Sequence, residues 1–341
     1  MKPHLESDAK TFGDWSYLAI AKHFKKTIKH EKEVLKDENP EQLHQMRVGM
    51  RRLRSAIVGF SPALNLPPAA DEKKVGKIAR ILGQLRDIDV LGEILKNQYQ
   101  PVLPTKEQKQ LNKALDVLAE QRVRAFERVD DILKDKLYLN LKTAFQDWLK
   151  NPSYQTIAEI SIGNILPDLL LPQISKLLLQ PGWILGIDLK EKNIQVRDRL
   201  TKEQVKKLLD NQGTLLHELR KEAKRSRYNM ELFTQFYGDN YQDYLTDIKA
   251  LQAVLGDIQD SFVLAEFLTE AFEKEFSNKM PVLAEQLTET RYEKWQEWQE
   301  LQHRFLDKKT RKDLHITILQ PIEIENFETE RLKNLEEQEK N

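Results

Sequence analysis

The chain contains no cysteine and little glycine or proline, with 12 and 13 of these among 341 residues. The absence of cysteine excludes disulfide bonds, thiolate zinc sites and cysteine nucleophiles. Lys plus Arg equals Asp plus Glu at 54 each, so affinity for a polyanion requires a local basic patch rather than bulk charge. The sequence has no run of about 18 apolar residues and no apolar core of a signal peptide. We therefore expect a soluble, cytoplasmic protein.

Most of the chain consists of stretches rich in Leu, Lys, Glu, Gln and Ala, which favour helices. Long alternating runs typical of strands are nearly absent, so the composition predicts an all-α protein. Prolines near positions 40, 61–68 and 101–104 divide the first half into four helices, the last with a break near Lys136. Four long helices with short connections predict a bundle.

The second half begins less regularly. Residues 167–179 have a helical pattern, and helices resume at Thr201, a residue typical of a helix N-cap. Between them, residues 181–200 are compatible with a short hairpin or with a loop. Trp295 and Trp298 are predicted to lie in the core.

Segment 43–60 predicts an amphipathic helix whose polar face is cationic. Four of its residues fall within a sector of roughly 80° and are called the first stripe: His44, Arg47, Arg51 and Arg54. Arg52 lies beside them. The opposite side is apolar and consists of Met46, Met50, Leu53, Ile57 and Phe60. Residues 42–60 contain no Asp or Glu to form i,i+4 pairs, so we expect an anionic ligand opposite this stripe.

The pattern recurs after a shift of 173 residues. The second stripe consists of His217, Arg220, Lys224 and Arg227. The same shift pairs Gly83 with Gly256 and Asp87 with Asp260, whereas a shift of 169 pairs Arg122 with Arg291. The apolar face recurs as Leu219, Ala223, Met230 and Phe233.

This recurrence predicts an internal duplication. We expect one domain over 12–320, with four-helix repeats at 12–150 and 160–320 and an acidic tail at 321–341. The two bundles should be related by a pseudo-two-fold axis, with the stripes lining a basic central groove or channel. We interpret the acidic tail as solvated.

Four motifs carry a resemblance to a known family. HQMRVGMRRLR at 44–54 and LGQLRDIDVL at 82–91 resemble the signatures of the first half of CHAD domains, the conserved histidine α-helical domains. LHELRKEAKRSRYNMELF at 216–233 and LQAVLGDIQDSFVL at 251–264 resemble those of the second half. The resemblance covers roughly residues 12–315. One departure is Ser226, where the family usually has an apolar residue.

The resemblance implies a helical domain of two four-helix bundles whose basic central cavity binds inorganic polyphosphate, often at polyphosphate granules. Such domains are frequently fused to a CYTH triphosphate-tunnel domain. No ExExK signature of that domain occurs here. We therefore expect a stand-alone CHAD protein without triphosphatase chemistry.

The predicted polyphosphate-binding residues are the two stripes and their basic neighbours. The full set is His44, Arg47, Arg51, Arg52, Arg54, His217, Arg220, Lys221, Lys224, Arg225 and Arg227. Additional candidates for the lining are Lys22, Lys26, Lys74, Lys77, Arg80, Arg122 and Arg291. Arginine presents a planar fork of donors suited to phosphate. The two stripe histidines are compatible with hydrogen bonding to phosphate or with a structural role.

Asp87 and Asp260 are interpreted as anchors that orient arginines, and Gly83 and Gly256 as sites of close helix packing. A metal site at Asp87 and Asp89 is not expected to repeat, because Asp89 corresponds to Phe262. We predict no cofactor, metal, catalytic residue or membrane partner.

Two other functions remain as alternatives. Single-stranded nucleic acid would require aromatic side chains among the cations, and only Tyr228 lies on a stripe. A phosphohydrolase or phosphotransferase would require a carboxylate-held metal or a nucleophile with its base, and the duplicated positions supply neither.

Overall fold

The computed structural model describes residues 9–190, 193–196 and 200–322, which form twelve α-helices, short 3₁₀ and π-helical segments and one hairpin. The helices are α1 (Phe12–Lys29), α2 (Glu31–Val34), α3 (Pro40–Gly59), α4 (Glu72–Ile94), α5 (Thr105–Lys134), α6 (Lys136–Lys150), α7 (Leu166–Leu178), α8 (Lys202–Leu232), α9 (Asp239–Ala271), α10 (Phe276–Lys279), α11 (Pro281–Leu306) and α12 (Lys308–Leu319). The strands are β1 (Ile187–Lys190) and β2 (Asn193–Val196). The all-α prediction is confirmed, with a small antiparallel hairpin added.

The hairpin decides the structure of the segment for which the sequence left two alternatives. Strand β1 pairs antiparallel with β2, and Ile187 lies opposite Val196. The tail at 321–341 lies outside the described residues from position 323 onward.

The chain divides into two compact units. The first contains the residues up to Leu95 together with Leu115–Leu166, and the second contains Lys96–Ala114 and Pro167–Pro321. The structure thus groups Lys96–Ala114 with the second unit, whereas the division predicted from the sequence places these residues in the first repeat.

Side-chain caps explain several helix boundaries. Asn39 accepts a hydrogen bond from the Glu41 amide ahead of α3, where Pro40 takes the first helical position. Thr201 forms a capping box with Gln204, so the predicted N-cap of α8 is confirmed. The predicted break near Lys136 is also confirmed, because Asp135 caps a new helix there.

In the first unit, α3 packs against α1, α2 and α4. The five apolar residues predicted for its buried face are all buried, including Met46, Met50 and Leu53 with no exposed surface. Aromatic pairs extend this core, with ring centroids 5.7 Å apart for Phe12 and Phe60. Burial of this face fixes the rotation of α3 about its axis, which places the first stripe away from the core.

In the second unit, α9 packs against α8 and α11. The four apolar residues predicted for the buried face of α8 are buried, and Trp295 and Trp298 have no exposed surface, as predicted. The Gln302 side-chain amide donates to the carbonyl oxygens of Trp183 and Leu185 at 2.7 and 2.9 Å. This bond pair attaches the segment before the hairpin to α11.

Helix α11 begins without a cap from its own N-cap residue, Met280. Instead, the Glu107 carboxylate on α5 accepts from the amides of Val282 and Leu283 at 2.9 and 3.1 Å. Glu107 is only 4% exposed. Glu107, Val282 and Leu283 all belong to the second unit. The two bonds therefore cap α11 from a residue that is distant in the sequence. The carboxylate also complements the positive end of the helix dipole.

Replacing Glu107 should therefore destabilise the protein. We expect Glu107→Ala to lower the free energy of unfolding by about 2 kcal/mol, because two buried amides lose their acceptor. Urea unfolding monitored by circular dichroism measures this change. The control is Glu127→Ala on the exposed side of the same helix, and equal losses in the two variants would contradict the capping role.

Candidate anion-binding surfaces

The first stripe lies where α3 packs on α4, and two of its arginines lie across glycines of α4. A Cβ atom on Gly83 would lie 3.3 Å from Arg47 Nε, and one on Gly76 would lie 3.2 Å from Arg54 Nε. The two glycines are seven residues apart, and therefore on the same side of α4. These glycines leave room for the guanidinium groups, a more specific role than the helix packing predicted for Gly83.

The second stripe has the same arrangement at one arginine. A Cβ atom on Gly256 of α9 would lie 3.6 Å from Arg220 Nε. Farther along α8, Arg227 donates to Glu231 at 2.9 Å and to Gln252 at 3.3 Å. At the start of this stripe, His217 Nδ1 is buried and has no hydrogen-bond partner among the described residues.

Both stripes receive counter-charges from the helix on which they pack. Arg47 Nη2 lies 3.3 Å from Asp87 Oδ1, and Arg220 Nη2 lies 3.4 Å from Asp260 Oδ1. The two aspartate side chains are 71% and 55% exposed, whereas the two arginines are 23% and 25% exposed. Such long contacts to solvated carboxylates contribute little stability, so a phosphate can compete for the same donors.

Arg54 has a closer partner, because its Nε donates to Glu72 at the start of α4. The acids missing from residues 42–60 are thus supplied by the neighbouring helix. Sequence spacing along α3 alone could not show this.

Arg47, Gly83 and Asp87 of the first unit, and Arg220, Gly256 and Asp260 of the second, all lie within the four sequence motifs described above. Residues 18–269 match the CHAD domain family. The chain belongs to this family.

Two solved structures are similar to this CHAD domain protein in fold. The crystal structure of the CHAD domain from the plant Ricinus communis has a TM-score of 0.56 and 21% sequence identity, covering 93% of this chain and 94% of that chain. PptA from Streptomyces chartreusis has a TM-score of 0.58 and 14% identity, covering 86% of this chain and 100% of that chain. A search of curated proteins found no match.

The basic neighbours of the second stripe in this CHAD domain are already paired. Arg225 Nη1 donates to Glu222 at 2.8 Å, and Lys176 Nζ lies 3.6 Å from the same carboxylate. Gln173 also donates to Glu222 and lies 3.4 Å from the hydroxyl of the buried Ser226. Ser226, the departure from the family pattern, therefore belongs to a buried polar cluster. Lys221 pairs with the exposed Glu218 at 2.7 Å.

Arg52 has a different environment from its counterpart Arg225. Arg52 is exposed, and its charge acts on His23 of α1 together with Lys22 and Lys26. The structure thus brings three predicted basic residues together at the boundary of α1 and α3. This boundary is distinct from the α3–α4 boundary of the first stripe.

Arg122 lies on another side of α4 from the first stripe. Its guanidinium donates to both oxygens of Asp37 at 2.6 Å and to Asp89 at 2.8 Å. Asp89 is about 200° around α4 from Asp87, the stripe's partner. The structure therefore does not bring Arg122 to the first stripe. The hydrogen bonds to Asp37 and Asp89 raise the pKa of Arg122.

Arg291, the counterpart of Arg122, packs over Phe262 with its guanidinium carbon 4.5 Å from the ring centroid. Phe262 replaces Asp89, so an aromatic face stands where the first unit has a carboxylate. Burial lowers the pKa of Arg291. The other candidates lie on α4, where Lys74 donates to the Pro68 carbonyl while Lys77 and Arg80 are exposed.

Sequence reasoning missed Arg86, which adjoins the start of the first stripe. Burial lowers the pKa of His44; Glu41 opposes this shift, and the charges of Arg86, Arg51 and Arg47 add to it. Arg86 also pairs with Glu93 at 3.1 Å. Its place in the 82–91 motif, directly before Asp87, was a signal that could have identified it.

The described residues form neither a metal-binding cluster nor a helix that could span a membrane. Within 9–190, 193–196 and 200–322, no group of three or more His, Cys, Asp or Glu side chains is arranged to hold a metal ion. No helix in the same part of the chain has the length and apolar character needed to span a bilayer.

The glycines under the arginines allow a matched test of their role. Gly256→Ala should raise the free energy of unfolding by up to about 1 kcal/mol, because alanine favours helix and its Cβ meets Arg220 at an ordinary distance. Gly83→Ala should raise the free energy of unfolding by less, because Arg47 must shift to accommodate the closer Cβ. Urea denaturation of both variants measures the difference, and an equal gain would argue against a tight fit of Arg47.

Proposed function

We propose that this protein binds inorganic polyphosphate through its two stripes and that it associates with polyphosphate granules. The observation that carries the proposal is the shared geometry of Arg47 and Arg220. Each guanidinium lies across a glycine of the next helix and faces one exposed aspartate. Membership of the CHAD family, for which polyphosphate binding is expected, supports the same ligand.

The stripes suit a linear, densely charged anion. Successive stripe residues are three or four positions apart, so their side chains are about 5 to 6 Å apart along each helix. A flexible chain of phosphates can meet such a row at several points, with each arginine offering two parallel donors. Because Arg47 and Arg220 are three-quarters buried, they lose little side-chain freedom on binding.

The stripe histidines add donors at the start of each row. In the protein alone, burial favours the neutral form of His44. A bound phosphate would favour the cation by its negative charge, and the imidazole would then donate to phosphate oxygen.

Nucleic acid fits these surfaces less well. Tyr228, the aromatic residue on a stripe, is only 7% exposed. Its ring lies 5.4 Å from the Arg227 guanidinium carbon. A buried ring cannot stack on an incoming base, which removes the main sequence-tolerant contact of single-stranded binders.

A titration with long-chain polyphosphate, short polyphosphate and single-stranded DNA tests which polyanion the protein binds. The double variant Arg51→Glu, Lys224→Glu reverses one charge in each stripe, so we expect its polyphosphate affinity to fall at least about 100-fold. Its affinity should also depend less on salt than that of the wild type, because fewer counterions are released.

The matched control is Lys32→Glu, Lys113→Glu, which makes the same charge change at exposed residues outside the stripes, one in each unit. We expect the control to lose far less affinity. Equal losses in both double variants, or wild-type binding of DNA as tight as that of polyphosphate, would overturn the proposal.

We also propose that the protein is not an enzyme. The stripes consist of cations and imidazoles, and one exposed aspartate of the neighbouring helix lies beside each. Phosphoryl transfer usually depends instead on a carboxylate-held metal or an activated nucleophile. This choice of side chains supports binding without turnover.

Incubation of the protein with polyphosphate and magnesium should therefore release no orthophosphate above the background of a mock purification. Orthophosphate is measured over several hours, beside the Arg51→Glu, Lys224→Glu variant. Steady release by the wild type that the variant lacks would establish catalysis.

A further inference from the structure

The boundary between α1 and α3 carries three cations that have no carboxylate partner in the described part of the chain. Lys22, Lys26 and Arg52 form no ion pair with any described residue. All three lie close enough to His23 for their charges to act on its imidazole. His23 is itself only 8% exposed, and its Nδ1 has no hydrogen-bond partner within the described part of the chain.

Close backbone packing holds this cluster in place. A Cβ atom on Gly49 would lie 2.8 Å from Thr27 Oγ1 and 2.9 Å from Thr27 N, so α1 and α3 touch at this point. Thr27 Oγ1 in turn donates to the His23 carbonyl at 2.9 Å. Arg52 follows Gly49 by about one turn and His23 precedes Thr27 by about one turn, so the contact brings the two together.

In the second unit, a carboxylate neutralises the arginine that corresponds to Arg52. Glu222 occupies the place of Gly49 under the 173-residue shift, and it binds Arg225, the counterpart of Arg52. In the first unit glycine supplies no carboxylate, and no acidic side chain of the described residues forms an ion pair with the three cations. An anion from solution would offset their positive charges.

We propose that Lys22, Lys26 and Arg52 form an additional phosphate subsite, and that His23 takes up a proton from solvent when a phosphate group binds there. The proposal rests on the polyphosphate-binding function and extends it to the side of α3 that faces α1. The bound oxyanion accepts hydrogen bonds from the ammonium and guanidinium groups. Its charge offsets the three cations, so the imidazole can become cationic.

The direction of the pH dependence follows from the environment of His23. Burial and the charges of Arg52, Lys22 and Lys26 lower its pKa to about 4. A bound anion raises the pKa toward its ordinary value, so binding consumes protons between about pH 4 and pH 6.5. Affinity at this subsite therefore increases as the pH falls through that range.

Charge removal tests the subsite. At about pH 5, we expect Arg52→Gln and the double variant Lys22→Gln, Lys26→Gln each to weaken binding of long-chain polyphosphate about ten-fold. The control is Lys25→Gln, an exposed lysine about 200° around α1 from His23. Arg225→Gln should lose less affinity than Arg52→Gln, because Glu222 already holds its guanidinium.

Calorimetry in buffers of different ionisation enthalpy measures the number of protons taken up on binding. Wild type should take up most of one additional proton at about pH 5 compared with His23→Gln. Long polyphosphate chains are used because their internal phosphates stay ionised in this pH range. Thermal unfolding verifies that each variant folds.

The outcomes separate this proposal from the function on which it rests. If wild type binds no polyphosphate, the proposed function fails. If wild type binds but the Arg52 and Lys22–Lys26 variants match Lys25→Gln, the subsite is absent and the stripes remain. If those variants weaken binding while His23→Gln takes up as many protons as wild type, the role of His23 is wrong.

Discussion

Close packing of α3 against the helices on either side is the constraint on which the basic surfaces of the first unit depend. On one side, Gly49 lets the α3 backbone touch Thr27 of α1. On the other, Gly83 and Gly76 of α4 leave space for the side chains of Arg47 and Arg54. The apolar side enters the core, so one helix carries three kinds of contact, and Arg47 becomes largely buried beside Gly83.

The features that repeat along a helix could be predicted from the sequence. The 3.6-residue period identified the buried faces of α3 and α8, and N-cap residues identified where helices begin, as at Thr201. The repeated motif also placed Asp87 and Asp260 on helices next to the stripes, where the structure finds both beside an arginine. These signals are local, because each depends on residues within a few turns.

The partners of individual cations lie on other helices, so the residue spacing within one helix does not reveal them. Arg122 and Arg291 correspond in the sequence under a shift of 169 residues, yet the first contacts two aspartates and the second packs on Phe262. Arg86 lies beside His44 only because α4 packs on α3, and Gly76 contacts Arg54 for the same reason. A sequence can indicate which side chains share a face, whereas the neighbour opposite that face is set by tertiary packing.

The difference between Gly49 and Glu222 shows how one position decides the charge of a surface. A carboxylate that is 2% exposed must be paired, because an isolated buried charge is costly. Gln173, Arg225 and Lys176 meet that requirement in the second unit, and the basic flank is neutralised there. In the first unit glycine removes the requirement and lets α3 touch α1, so Arg52 lies near a buried histidine without a carboxylate partner among the described residues. Since the whole chain has equal numbers of basic and acidic residues, attraction of a polyanion depends on such local imbalances rather than on net charge.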